Sequence, residues 1–196
     1  MKKLTFANAL ILSLLSLNSI AQESTLTPSN STEVSEKYGQ VLNLGLGVGY
    51  FGYIGHSVPV LHADYEFAVA SNFTLAPFIS YAAYQNYYYW GDAQNGYKDY
   101  YYSQTVMPVG VKGSYYFDQL LNAGPKWDFY LACSVGFVIN STIWENGYYG
   151  KTVQNQGTSA LYLDFHIGTE YHVNRKMGLL LDLSTEASAL GIAIHF

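Results

Sequence analysis

Apolar residues recur at every second position through most of this chain. Leu42, Leu44, Leu46, Val48 and Tyr50 share one face of a segment whose other face is Asn43, Gly45, Gly47 and Gly49. Leu61, Ala63, Tyr65, Phe67 and Val69 alternate with His62, Asp64, Glu66 and Ala68. The sharpest case sets Leu161, Leu163, Phe165, Ile167, Thr169 and Tyr171 against Tyr162, Asp164, His166, Gly168, Glu170 and His172. A period of two places alternate side chains on opposite faces of a β-strand. The same pattern marks strands over Phe73 to Tyr84, Thr105 to Phe117, Trp127 to Ile139 and Met177 to Ser184, and a last one ending at Phe196.

Eight strands of about 9–11 residues match the smallest membrane-spanning barrels, whose walls alternate between lipid and lumen. The expected fold is all-β, an antiparallel eight-stranded transmembrane up-and-down β-barrel over residues 38–196. An even strand number starts and ends the chain on the same side of the membrane, expected to be the periplasmic side. The connections after strands 1, 3, 5 and 7 then face outward. The two longest interruptions, Gln85 to Ser103 and Asn140 to Thr158, fall there as expected and are read as loops. Asn95-Gly96 is a turn dipeptide, so the first of them can also stack as an extended hairpin. Pro77 and Pro108 sit inside expected strands. Proline cannot donate to a ladder, so each should mark a bulge or a strand boundary.

The N-terminus changes the picture from a β-protein to an exported one. Lys2 and Lys3 precede the apolar run Ala7 to Leu17, and Asn18-Ser19-Ile20-Ala21 offers a small-x-small cleavage site. Residues 1–21 are read as a signal peptide and 22–37, polar and aperiodic, as a disordered periplasmic leader. Removing 21 of the 196 residues leaves 175, with seven basic residues against fourteen acidic once Lys2 and Lys3 are gone. That balance argues against nucleic acid as a partner. Charged residues are 12% of the chain, about half the usual share. Twenty tyrosines supply the side chain favoured at membrane–water boundaries. The single cysteine, Cys133, lies in the apolar phase of its strand and cannot form an intrachain disulfide.

Three segments carry a family resemblance: Ala21-Gln22, the run Pro108-Val109-Gly110-Val111-Lys112-Gly113-Ser114-Tyr115-Tyr116-Phe117, and the terminal Leu190-Gly191-Ile192-Ala193-Ile194-His195-Phe196. The chain resembles small outer-membrane β-barrels of the OmpA and OmpX type, and in flavour those of Bacteroidetes. The resemblance implies a bacterial outer-membrane location and a monomer in contact with outer-membrane lipid and lipopolysaccharide. It also implies that Leu190, Ile192, Ile194 and Phe196 form the assembly signal read by the barrel-assembly machinery.

Candidate chemistry is sparse. Gly47-Val48-Gly49-Tyr50-Phe51-Gly52 matches GxGxxG, but its glycines lie on one strand face and no helix follows, so it reads as space on the inner wall rather than a nucleotide cradle. The inward phase holds Asp64, Glu66, Lys112, Asp128, Asp164, His166, Glu170, Asp182 and His195. Of these, Glu66, Lys112, Asp164, His166 and Asp182 are expected near mid-depth as a lumen charge network with Lys112 as its hub. A narrow cation-preferring pore and a bound cation are the alternative uses of the same residues. Four histidines point inward and only His56 lies in an outer loop, which disfavours a lipid A-modifying enzyme and leaves no catalytic, cofactor or metal assignment. Nine aromatics fall between Tyr84 and Tyr102. Tyr88, Trp90, Tyr100 and Tyr101 are expected to form an exposed contact surface for a glycan or protein ligand. The functional expectation is an envelope-structural barrel whose aromatic outer loops bind a surface ligand.

Overall fold

A computed structural model describes residues 39–50, 57–92, 96–118, 120–148 and 157–196. The expected signal peptide and leader, Phe51 and Gly52 of the glycine motif, and His56 lie outside the described residues. Eight strands follow in order: β1 (Gln40–Tyr50), β2 (Ser57–Ala70), β3 (Phe73–Asp92), β4 (Gly96–Tyr116), β5 (Trp127–Trp144), β6 (Gly157–Asn174), β7 (Met177–Ser184) and β8 (Ala187–His195). Each pairs antiparallel with the next, and β8 returns to β1, which closes the barrel. The described residues contain no helix.

The alternation in the sequence becomes an inside and an outside, with the usual preference of water-soluble proteins reversed. Leu46, Leu161 and Leu190 are 67–74% exposed, whereas the side chain of Lys112 is 1% exposed. Every strand shows apolar side chains on its outer face, including Leu44, Phe67, Ile79, Val111, Val135, Phe165, Leu179 and Ile192. Among the described strand residues the outward phase carries one charge, Asp99. Cys133 lies on this face and is exposed. At the end of the barrel where β1 begins, here the lower end, Trp127 packs on Tyr171 and Phe129, and Phe196 lies beside Tyr65. Such aromatic rings flank the apolar band of membrane barrels.

The strands are less equal than the sequence suggests. β3 and β4 run 20 and 21 residues, against the roughly 9–11 that cross a membrane. Their ladder continues without a break from Ala82↔Val106 to Asp92↔Gly96. The stretches Gln85 to Asp92 and Gly96 to Ser103 are therefore paired strand and not loop; Asn95 of the expected turn lies outside the described residues. β5 likewise runs on from Ile139 to Trp144. β7 and β8, by contrast, span 8 and 9 residues. The upper rim is tall over β3–β5 and low over β7–β8.

The prolines are accommodated differently from the expectation. Pro77 lies where the β2–β3 ladder is interrupted, between Asp64↔Phe78 and Phe67↔Leu75, and Pro108 where the β3–β4 ladder is interrupted, between Ile79↔Val109 and Ala82↔Val106. Register is the same on both sides of each gap. Each proline still pairs on its other side, with Val111 and Val138 respectively. The missing donor thus costs a local ladder gap, with neither bulge nor strand end. The bulges fall elsewhere, at Ala68/Ala70, Phe137/Ile139 and His172/Asn174.

Candidate functional site: an ionic lumen beneath an aromatic mouth

The inward phase of the strands fills the barrel. Its centre is Lys112 on β4, whose Nζ donates to Asp64 Oδ2 at 2.7 Å and lies 3.8 Å from Asp182 Oδ2. From there the contacts run outward in both directions through matching residues. On one side Asp64 meets His62 Nε2 at 2.9 Å, and His62 Nδ1 meets Ser80 Oγ at 2.8 Å. On the other, Asp182 meets His166 Nδ1 at 2.8 Å, and His166 Nε2 meets Ser134 Oγ at 2.8 Å. The chain Ser80–His62–Asp64–Lys112–Asp182–His166–Ser134 crosses the lumen and reads the same from either end. Buried charge needs pairing of this kind.

Of the five residues expected in the network, Lys112, Asp182 and His166 are joined directly. Glu66 joins through Asn43, whose Nδ2 donates to Asp64 Oδ1 at 2.9 Å and to Glu66 Oε2 at 3.2 Å, and it also accepts from Thr74 Oγ1 at 2.6 Å and from the Tyr116 hydroxyl. Asp164 is not at mid-depth. Its Oδ1 caps the short β7–β8 turn, accepting from the backbone N–H groups of Thr185 and Glu186 and from Thr185 Oγ1 at 2.7–3.1 Å. It stays linked to His166, 3.6 Å away. The physical reason is the low rim: His166 pairs with Ser184, so the barrel ends on that side one step above it. Asp64, an inward residue of the same strand as Glu66, is the main partner of Lys112.

Ser134–His166–Asp182 has the connectivity of a hydrolytic triad. The cavity beside it holds only about 10 Å³ of free space, roughly one water. Tyr162, Leu180 and Phe78 help to wall it. No acyl substrate fits there. Elsewhere, tight packing is achieved by absent side chains: a Cβ on Gly168 would collide with the Tyr130 ring. Tyr130 needs that seat to donate to Asp182 at 2.8 Å.

Above the ionic layer the inner wall becomes aromatic. Trp144 stacks on Tyr148 at 4.0 Å between centroids, and Tyr102 lies 4.8 Å from Trp144. Tyr148 also meets Tyr100 at 5.2 Å and Trp90 at 5.5 Å, and Tyr88 meets Trp144 edge-on at 6.2 Å. These six rings form one cluster at the mouth. The four residues expected as a single exposed surface are divided by strand phase. Tyr88, Trp90 and Tyr100 face inward, and Tyr100 is 6% exposed, enclosed by Trp90 and Tyr148. Tyr101 faces outward and is 63% exposed, against Tyr87. Tyr89 and Tyr97 stack beside them on that outer side. The rule missed at the sequence level is parity. Even-numbered residues of β3, β4 and β5 point inward, so Tyr102 and Trp144 belong with Tyr88, Trp90 and Tyr100; Tyr148, beyond the end of β5, joins them through its ring contacts.

The tall hairpin is tied to β5. Glu145 accepts from the Tyr101 backbone N–H at 3.1 Å and from Lys98 Nζ at 3.4 Å. The backbone donor first, and the lysine second, hold its carboxyl below the usual glutamate value. Glu186, in the low β7–β8 turn, is shifted the other way, raised by partial burial and by Asp164.

The sequence matches neither a known protein-family model nor a curated protein. Among solved structures, the N-terminal β-barrel domain of Pseudomonas aeruginosa OprF is similar at 11% identity and a TM-score of 0.50, covering 81% of this chain and 98% of that one. Neisserial surface protein A aligns at 12% identity and a TM-score of 0.46 over 80% of this chain and 96% of its own. Ail of Yersinia pestis, solved with the heparin analogue sucrose octasulfate, aligns at 7% identity and a TM-score of 0.46 over 80% and 95%. The fold is that of the eight-stranded up-and-down transmembrane β-barrels.

Proposed function

We propose that the chain is an exported, monomeric outer-membrane protein of the bacterial envelope. Its β3–β5 extension binds a glycan or protein ligand at the cell surface. The observation that carries this reading is the six-ring cluster at the mouth, built on strands that overrun the membrane thickness by about as much again. Lipid contact alone needs rings on the outer wall, and these face inward. Aromatic rings with polar edges suit sugars and protein side chains. In this reading the outer wall contacts lipid and lipopolysaccharide, and Leu190, Ile192, Ile194 and Phe196 present the assembly signal. Kinship with Bacteroidetes barrels, drawn from Pro108 to Phe117 and the last strand, belongs to the same proposal. The filled lumen favours a structural plug over a cation pore, and the confined Ser134–His166–Asp182 arrangement favours a non-enzymatic role.

The test replaces Trp90 to Tyr97 with a short Gly-Ser linker and compares both forms on glycan arrays and in whole-cell adhesion. Assembly, read as heat-shifted gel mobility, should survive while binding is lost. Equal signals from the two forms would sink the reading. A planar-bilayer conductance measurement separates it from the pore.

A further inference from the structure

At the lower end of the lumen, away from the aromatic mouth, two imidazoles and a carboxylate converge. Glu170 and His172 lie on β6 and His195 on β8. Candidate ligand atoms of all three lie within 4.8 Å of one another. His195 Nε2 is 2.6 Å from Glu170 Oε1, and His172 Nδ1 is 3.6 Å from the same oxygen. β6 and β8 are separated by β7, so about 9.5 Å of sheet stands between them. Their imidazoles nonetheless approach to 5.1 Å between centroids. They can do so because the intervening inward position on β7 is Gly178, paired with His172 on one side and Ala193 on the other. A Cβ there would collide with the Glu170 carboxylate. The glycine is a cradle for that oxygen.

A second observation concerns His172. Its Nε2 lies 2.6 Å from Asp128 Oδ2, whose side chain is 2% exposed. Its Nδ1 faces Glu170 Oε1 at 3.6 Å, so the ring lies between two carboxylates. In the tautomer that donates from Nε2 to Asp128, Nδ1 and Glu170 Oε1 would both present lone pairs to a cation placed between them. A carboxylate bonded to the far nitrogen is also the usual means of fixing a metal-binding imidazole.

We propose that Glu170, His172 and His195 form a divalent transition-metal site at the periplasmic mouth of the barrel, oriented by Asp128. Two nitrogens and one oxygen suit zinc and its neighbours over calcium or magnesium, which prefer all-oxygen sets. The two imidazoles are 20% and 16% exposed, so water reaches the fourth position. The proposal is independent of the aromatic-mouth reading.

The experiment uses the tag-free chain, folded in detergent micelles and checked by heat-shifted mobility. Zinc binding is followed by calorimetry, and cobalt binding by its visible d–d bands. Wild type should take up one equivalent and give tetrahedral cobalt bands. His172→Gln and His195→Gln, which keep a polar side chain and so preserve folding, should each abolish the cobalt bands. Asp128→Asn should fold and lower zinc affinity about 10- to 100-fold. Absence of zinc uptake by the folded wild type would overturn the site. So would uptake equal to that of the folded His172→Gln/His195→Gln double variant. Unchanged affinity in Asp128→Asn would overturn the orienting role.

Discussion

The middle of the lumen and its mouth are both built from inward-facing side chains, the middle drawn from β2 to β7 and the mouth from the β3–β5 side alone, yet they hold together by opposite rules. At the middle, each charged group is held by two or three particular partners that hydrogen-bond to it or carry the opposite charge. Removing Lys112 leaves Asp64 and Asp182 facing each other across the barrel. At the mouth, rings overlap several neighbours at once. Tyr148 alone meets Trp90, Tyr100 and Trp144, so loss of one contact leaves others. Ring pairs are worth about 0.5–1.5 kcal/mol each beyond burial. Breaking a buried ion pair costs about 3–5 kcal/mol. Stability is therefore concentrated in a few residues below and distributed over many above. The upper region can change without unfolding the barrel.

The largest expected effect comes from breaking the lower rule. Lys112→Met should destabilise the barrel by about 3–5 kcal/mol in urea unfolding in micelles. Adding Asp64→Asn should recover part of that loss; unchanged stability in the single variant would mean a wet lumen with a solvated lysine. Next comes the outer wall, which must meet lipid if both regions sit in a membrane. Leu163, exposed on β6, becomes costly as Leu163→Lys by about 2–4 kcal/mol at mid-membrane. Gel mobility should report impaired assembly, with a polar replacement at inward Tyr162 milder.

Trp144→Ala tests the redundancy of the mouth. It should cost less than Lys112→Met, since ring pairs are worth about 0.5–1.5 kcal/mol each, and leave assembly intact: of the three rings that lose a partner, Tyr148 keeps Trp90 and Tyr100, and Tyr102 keeps Tyr84. A loss as large as that of Lys112→Met would erase the contrast. The smallest effect concerns the clasp at Glu145. Its carboxyl is lowered in the folded protein, so its contribution is present above the ordinary value of 4.5 and fades as pH falls through the lowered one. Hydrogen exchange of the Tyr101 amide should accelerate over that acidic range in the wild type. In Glu145→Gln the acceleration should be absent.

Strand phase was legible wherever a membrane face imposes it. Lys112, His166 and Asp182 could be placed inward from alternation alone, because a lipid-facing charge is costly at those depths. Beyond the membrane that constraint ends. From Gln85 to Ser103 both faces carry tyrosine, the apolar–polar contrast disappears, and the stretch looks like a loop although β-favouring Tyr and Trp keep it paired. Tyr100 and Tyr101 are adjacent in sequence and opposite in space for that reason. Depth was also hidden. Barrel strands are tilted and staggered, so residues of similar rank in their strands reach different heights. Asp164 lands beneath a turn, and Asp64 rather than Glu66 meets the lysine. Glu170, His172 and His195 were visible as inward residues, but their convergence depends on the missing side chain of Gly178.

The pairing of β3 with β4 up to Asp92↔Gly96 has an entropic consequence. A flexible loop must lose rotamer and backbone freedom when it grips a ligand, at about 0.5–1.5 kcal/mol per immobilised side chain. Here the ladder fixes the backbone and the stacked rings fix one another before any encounter. Recognition at such a surface should show little ordering entropy, and its affinity should depend on how well a ligand fits a shape that already exists.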